Sequence, residues 1–369
     1  MIWRESALGE VVRLQRGHDL PADRRQDGDV PVVSSAGITG YHHVAKAFAP
    51  GVVTGRYGTL GEVYFLDVDY WPLNTALYVT DFKGNNPRFI AYLLRHLLKD
   101  YQSDKAAIPG IDRNVLHAMT VRVPGVAIQL RVARILTGYD ELIDNNRRRI
   151  KLLEDSARLL FDEWFIRGHL PPMHLQSADV GEARHFSLAH ICDDVKNPVL
   201  PEQLDSDVPY IGLEHMPRRS FTLGEWGSAA DISSMKLRYL AGDIVFGKIR
   251  PYFHKVGIAL TDGICSSDAI VMRAKSPHWQ YLLLALVSSD EFIGATAQAM
   301  KEGSKMPRAD GKQMMAYPVS VPNGGVLEAF NNHVEPIIEQ VKALAFQVRK
   351  LRTARDLLLP RLMSGQLSV

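Results

Sequence analysis

Two stretches of this chain place apolar residues at alternating steps of three and four, and each stretch closes one half of the sequence. The first runs through Tyr139, Ile143, Asn146, Ile150, Leu153, Ala157, Leu160 and Trp164. The second runs through Val334, Ile337, Val341, Leu344, Val348, Leu351, Arg355, Leu358 and Leu362. A period near 3.5 keeps one stripe facing a partner helix, so both stretches are predicted to form coiled-coil seams that pack on each other. Ile143, Ile150, Leu153 and Leu160 are the expected seam residues of the first helix, and Val341, Leu344, Val348, Leu351 and Leu358 those of the second. Asn146 and Arg355 interrupt the apolar pattern, as polar residues that fix register do.

The first helix is predicted to run from about Ile128 to about Ile166, where Gly168 and Pro171-Pro172 stop it. Roughly 38 residues at 1.5 Å each make a rod of about 55 Å. Chain order makes the pair antiparallel, with a globular region expected at either end and an approximate two-fold axis between them.

The repetition reaches beyond the helices. Asp29-Val30-Pro31 is answered by Asp207-Val208-Pro209, Phe48-Ala-Pro-Gly51 by Leu240-Ala-Gly242, and Thr120-Val-Arg-Val-Pro124 by Val319-Ser-Val-Pro322. The offset between copies grows along the chain, which puts insertions into loops of the second copy. Strands are predicted at Val30 to Val33, Val52 to Thr54, Val63 to Leu66 and Leu77 to Thr80, with a helix over Pro87 to Leu98. The second half echoes them at Val208 to Ile211, Asp243 to Phe246, Val256 to Leu260 and Ala269 to Met272, then a helix from about His278 to Ser288. The expected class is α+β. Its parts are a mixed α/β domain over 1–127, a helix over 128–167, a second domain over 168–325 and a C-terminal helix over 326–369.

Composition narrows the chemistry. With 369 residues, 46% of them apolar, the chain can build several cores, and a formal net charge of +2 means that any nucleic-acid affinity must come from local patches. Two cysteines, Cys192 and Cys265, cannot form a disulfide framework and fit a reducing, cytoplasmic compartment. The longest wholly apolar run, Tyr281 to Val287, is about seven residues, far short of the roughly twenty a membrane span needs.

Glycine-flanked loops rich in basic, amide and hydroxyl side chains are the expected reading surfaces if the domains bind duplex DNA. In the first domain these loops hold Ser34, Ser35, Thr39, Tyr41, Arg56, Tyr57, Thr59, Asn74, Thr75, Lys105 and Arg113. In the second they hold His215, Lys248, Arg250, Tyr252, Ser266, Ser267, Lys305 and Arg308. Arginine and lysine reach guanine edges or phosphates, while the hydroxyl and amide side chains reach either. Arg56 and Arg250 follow equivalent strands and are read as counterparts. Two readers at a fixed separation would suit half-sites about one helical turn apart, roughly 34–36 Å. Because the two domains differ in sequence, the half-sites should differ too.

Catalytic motifs are missing. Gly55-x-x-Gly58-x-x-Gly61 lacks the Gly-Lys-Ser/Thr ending of a phosphate loop and reads as turn chemistry. His42-His43 has no cysteine or acidic partner at metal-ligand spacing, so no metal site is expected. The basic run Arg147-Arg-Arg-Ile-Lys151 reads as a solvated helix face or a contact for phosphate or a partner. Pro171-Pro172 lacks the Asn/Asp and Tyr/Phe that flank the paired prolines of an adenine methyltransferase. A recognition module without its own catalyst is expected, with no cofactor of its own. A coiled-coil adaptor whose repeated domains bind proteins is the alternative.

The segments Glu141-Leu-Ile-Asp-Asn-Asn-Arg-Arg-Arg-Ile-Lys-Leu-Leu-Glu154 and Ala157-Arg-Leu-Leu-Phe-Asp-Glu-Trp-Phe165 resemble the central conserved region of type I restriction-modification specificity subunits. Leu357-Leu-Leu-Pro-Arg-Leu-Met-Ser-Gly-Gln-Leu367 resembles their C-terminal region, and Leu240-Ala-Gly-Asp-Ile-Val-Phe-Gly-Lys-Ile-Arg-Pro-Tyr252 a recurrent segment of their target-recognition domains. The resemblance implies two target-recognition domains joined by antiparallel helices, each reading half of a bipartite asymmetric site in double-stranded DNA. It also implies docking of two methyltransferase subunits, which would bring S-adenosylmethionine and methylate adenine, and of motor-nuclease restriction subunits.

Overall fold

A computed structural model of the chain describes residues 3–56, 61–99, 110–170, 184–300, 306–321 and 324–369. The chain divides into two compact units, one formed by Met1–Leu142 with Leu351–Val369 and the other by Ile143–Lys350. The central helix spans Val126–Phe161 and the C-terminal helix Gly324–Met363, so each passes from one unit into the other without a break. The described residues include no helix long and apolar enough to cross a membrane.

In the first unit a four-stranded antiparallel sheet runs in the order Arg13–Arg16, Ala76–Asp81, Gly51–Gly55, Val63–Leu66. Gly51–Gly55 is buried on both faces. Val52 points into a core with the helix Pro87–Leu98, while Val53 points into a second cluster with Val33, Tyr70 and Tyr78. That double burial is why this strand reads as a continuous apolar run. Gly51 is required there, because a Cβ would lie 2.2 Å from the Tyr70 ring. Asn86 caps the helix by accepting from the Phe89 amide at 2.9 Å, with Pro87 in the first turn.

Buried Gln129 ties the start of the central helix to this core. Its Nε2 donates to Asn85 Oδ1 at 2.8 Å and to the Pro124 carbonyl at 2.9 Å, and its Oε1 accepts from the Asn86 amide at 2.8 Å. Leu359, Leu362 and Met363 of the C-terminal helix enter the same core as Val132, Ala133 and Leu136. Between the two helices, Arg355 Nη1 donates to Asp140 Oδ1 at 2.6 Å, and the Tyr92 hydroxyl donates to Asp140 Oδ2 at 2.7 Å. Burial alone would push the Asp140 carboxyl up, but the Tyr92 and Arg355 hydrogen bonds outweigh it and hold the carboxyl below its usual range.

The second unit repeats this plan with insertions. Its main sheet runs Cys192–Val195, Ala269–Ala274, Ile244–Gly247, Val256–Ala259, Thr222–Leu223. Its two-stranded ribbon, Arg184–Ser187 on Pro318–Val321, matches Trp3–Ala7 on Thr120–Pro124 in the first unit. Ile244 and Phe246 face a large core, and Val245 faces a smaller one. Helices Gln280–Val287 and Asp290–Gln298 cover the large core, into which Ala157, Phe161, Trp164, Phe330, Val334 and Ile338 of the long helices also pack.

The seam in this unit lies slightly off the heptad stripe. Ile143, Val341, Leu344 and Val348 are buried, but Ile150, Leu153 and Leu160 are half-buried, as are Leu351 and Leu358 in the first unit. Beside Leu153 and Leu160 the deeper positions are Glu154 and Phe161. A straight helix at 3.6 residues per turn drifts about 20° per heptad, which moves the buried position forward by one residue. Asn146 is buried and donates to Gln347 Oε1 at 3.3 Å.

Glu154 is a buried carboxylate, accepting from Ser220 Oγ at 2.9 Å and Thr222 Oγ1 at 2.5 Å. Burial pushes its carboxyl up, against the opposing hydroxyl hydrogen bonds. A folded value raised above the unfolded one contributes stability below the ordinary glutamate range and loses it as pH rises through the raised value. Glu154→Gln should therefore unfold at higher urea than the parent near pH 8 and at nearly the same urea near pH 4. A variant less stable than the parent at pH 8 would rule this out.

Candidate nucleic-acid interface

The two units share a backbone hydrogen-bond scheme at the strand ends where the candidate residues lie. In the first, Leu73 N donates to Val33 O at 2.8 Å, Ala76 N to Leu73 O at 2.9 Å, Arg56 N to Thr75 O at 2.9 Å and Ile111 N to Arg56 O at 2.9 Å. In the second, Ser266 N donates to Ile211 O at 3.0 Å, Ala269 N to Ser266 O at 2.9 Å, Lys248 N to Asp268 O at 2.8 Å and Ala309 N to Lys248 O at 2.9 Å. Asp112 then caps Arg113–Ala118 through the Asn114 amide at 2.7 Å, as Asp310 caps Gly311–Met315 through the Lys312 amide at 2.8 Å.

This scheme corrects one expectation. The counterpart of Arg56 is Lys248, not Arg250, which lies two residues further on at φ 50°. The misreading came from matching arginine with arginine, whereas the match is set by which amide meets which carbonyl.

Equivalent positions carry different chemistry. Leu73, Asn74 and Thr75 stand where the second unit has Ser266, Ser267 and Asp268, and Arg113 and Asn114 stand where it has Gly311 and Lys312. In the first unit Ser35, Arg56, Thr75 and Arg113 gather around the shared node, with Ser35 N donating to Thr75 Oγ1 at 3.4 Å. Asn74 is tied to Asp19 through its side-chain amide. Ser34 is buried and its hydroxyl donates to Gly37 O at 3.2 Å, and Thr39 Oγ1 donates to Val32 O at 3.4 Å, so both hydroxyls shape the hairpin. Tyr41 is exposed on the outer face of the Gly37–His42 strand, beside exposed Ile38.

In the second unit Lys248 Nζ donates to Ser267 O at 3.0 Å, and Arg308 pairs with Asp268 at 3.1 Å, holding the basic heads in place. Ser266 Oγ accepts from the Asp268 amide at 3.2 Å. His215 Nδ1 accepts from the Gly212 amide at 3.0 Å, which leaves its Nε2 as the protonated nitrogen, and its ring meets Tyr210 edge-on at 5.7 Å. Arg250 N donates to Pro307 O at 2.9 Å, and Tyr252 is exposed beside it. Tyr57, Thr59, Lys105 and Lys305 lie outside the described residues.

The sequence reading missed other cations. Lys196 and Lys312 join Lys248 and Ser267 around a groove of about 610 Å³ whose apolar wall includes Met235 and Leu237. Arg218 shares the Phe253 ring with Arg250, and Lys255 lies near Arg218. The Arg218-Arg219 pair after Pro217 was the available signal.

A family model described as the type I restriction modification DNA specificity domain matches residues 2–155. The specificity subunit of the type I restriction enzyme EcoDI from Escherichia coli is 30% identical over 365 residues, covering 87% of this chain and 78% of that protein. The chain belongs to the type I restriction enzyme specificity subunits. The MjaIX specificity subunit of Methanocaldococcus jannaschii is 20% identical over 294 residues, covering 74% of this chain and 66% of the relative, just under two thirds of its length. The chain covers 40% of another, the EcoprrI specificity subunit of Escherichia coli, at 24% identity. The crystal structure of a type I restriction-modification S subunit from M. genitalium superposes with a TM-score of 0.61 at 16% identity, covering 98% of this chain and 96% of that one. That likeness places this specificity subunit in the same α+β fold.

Proposed function

We propose that this chain selects the DNA sequence for its restriction-modification complex, each unit reading one half of a bipartite, asymmetric duplex site. The observation that carries this is the duplicated hydrogen-bond scheme bearing unlike side chains at matched positions, Arg56 against Lys248 and Asn74-Thr75 against Ser267-Asp268. One scaffold presenting two donor and acceptor patterns is what two unlike half-sites require. In this reading the groups at Arg56, Thr75 and Arg113, and at Lys248, Ser267 and Arg308, meet base edges or phosphates.

The chain would supply no catalyst. Two methyltransferase subunits would bring S-adenosylmethionine and flip the target adenine out for N6 methylation, and restriction subunits would join to cut unmodified DNA. Exposed Leu152, Leu159 and Ile166, spaced one heptad apart on and just beyond the central helix, favour a docking face for a helical partner.

The test is co-expression with a type I methyltransferase subunit from the same genome, followed by single-molecule sequencing of adenine methylation. A split, asymmetric motif methylated only when the chain is present is the expected result. No new motif, with no copurification and no salt-dependent DNA affinity, would sink the reading in favour of a protein-binding adaptor.

A further inference from the structure

We propose that Arg218 and Arg250, both stacked on the Phe253 ring, clamp one phosphate of the DNA backbone beside the second unit's reading cluster. The proposal rests on the DNA-reading function above and assigns these two residues to positioning. Arg218 Cζ lies 4.1 Å and Arg250 Cζ 5.7 Å from the centroid of Phe253. Among the described residues neither guanidinium has a carboxylate within ion-pair distance, whereas neighbouring Arg219 pairs with Asp290 at 3.0 Å and Arg308 with Asp268 at 3.1 Å. A third cation, Lys255, donates to Leu213 O at 2.5 Å, and its ammonium is lowered first by burial and then by Arg218. Glu214 is close enough to offset part of the charge on Lys255, but neither guanidinium is ion-paired, and a phosphate accepts from guanidinium edges in bidentate fashion.

The backbone holds this arrangement at a strained geometry. Of the four non-glycine residues at positive φ among those described, three lie here: Arg219 at 56°, Arg250 at 50° and His254 at 55°. Such strain persists only where surroundings over-determine it, and it gathers at ligand clamps. The surroundings are visible. Arg219 N donates to His254 O at 3.0 Å, Phe253 N to Arg250 O at 2.8 Å and His254 N to Pro251 O at 2.7 Å. The His254 ring is buried and its Nε2 donates to Ser288 O at 2.6 Å, anchoring the turn to the helical layer. Exposed Tyr252 projects from the same turn. Arg250 lies two residues beyond Lys248, the position matched to Arg56, and its amide is bonded to Pro307 O beside Arg308.

The experiment is equilibrium binding of the full-length chain, parent and Arg218→Ala, to a duplex carrying the methylated motif and to one with the motif scrambled, over about 50 to 200 mM salt. Loss of one phosphate contact should lower affinity for both duplexes by the same factor and reduce the log–log salt slope by about one. The parent-to-variant affinity ratio should therefore shrink roughly three- to fourfold across that range. Arg218→Lys should restore the slope, and Arg250→Ala added to Arg218→Ala should change it little further. Thermal melts should show the exposed-site variants folded like the parent. An unchanged slope with intact parental binding would overturn the clamp and leave the DNA reading standing. A loss confined to the motif duplex would make Arg218 a base reader. Unaltered DNA binding with lost methyltransferase copurification would make it an acidic-protein contact. Each of these outcomes overturns the proposal, and a parent chain with no salt-dependent DNA affinity overturns it together with the function on which it rests.

Discussion

Phe330→Ala is expected to destabilise its unit by about 3–5 kcal/mol, the range for emptying a phenyl from a closed core. The ring is fully buried on the C-terminal helix, with centroids at 4.8 Å to Phe165, 5.9 Å to Trp164 and 6.5 Å to Phe161. Those partners come from the end of the central helix and the Asp162–Ile166 segment that follows it, so the truncation loosens both helices against the core that Leu282, Phe292 and Ile338 share with them. Tilted and edge-on ring pairs add to the area term, which puts the expected loss at the upper part of the range. A whole domain is stable by only about 5–15 kcal/mol, so the change removes a large fraction of that. Urea unfolding followed by tryptophan fluorescence should show a much lower midpoint, while Phe330→Leu should cost below about 1.5 kcal/mol. A loss under about 1 kcal/mol for the alanine variant would mean that this aromatic cluster does not hold the helices.

Arg56→Ala and Lys248→Ala should each relax one half of the methylated motif and leave the other half unchanged. Both residues sit at the same node, donating a backbone amide to the loop just before the neighbouring strand and accepting one from the segment before the capped helix. The backbone bonds survive truncation, and for Lys248 the Nζ hydrogen bond to Ser267 O goes with the cation. A good base contact is worth about 1–3 kcal/mol of discrimination, roughly five- to 150-fold at the affected base pair. Sequencing of methylated adenines in cells carrying each variant reads this directly. If both variants degraded the same half, the assignment of one half-site per unit would be wrong. If neither altered the motif while both weakened binding on every duplex, the node would hold phosphates.

The elements with strong periodicity were legible in the sequence. Pro87–Leu98 carries its own start signal in Asn86-Pro87, and the doubly buried strands Gly51–Gly55 and Ile244–Gly247 announce themselves as apolar runs. The matching of Arg56 with Lys248 was not legible, because it depends on amides and carbonyls contributed by distant segments. Leu160 and Leu153 were preferred over Phe161 and Glu154 because a strict heptad ignores the drift of a straight helix. Glu154 in particular looks solvent-facing by type, and only the Ser220 and Thr222 hydroxyls explain its burial. Two-residue strands such as Trp71–Pro72 and Thr222–Leu223 are too short to show any period, although they close the sheets.

The composition of the first unit has a consequence for synthesis. Its core needs Leu359, Leu362 and Met363 as well as Leu8, Val52 and Leu94. A ribosome that has made only the first 142 residues has therefore produced a unit with an open wall. The second unit, contained between Ile143 and Lys350, has all of its own core as soon as that segment is out. The part begun first is thus completed last, and a nascent chain must carry an unclosed apolar surface through the making of the other unit, where chaperone capture would be most useful.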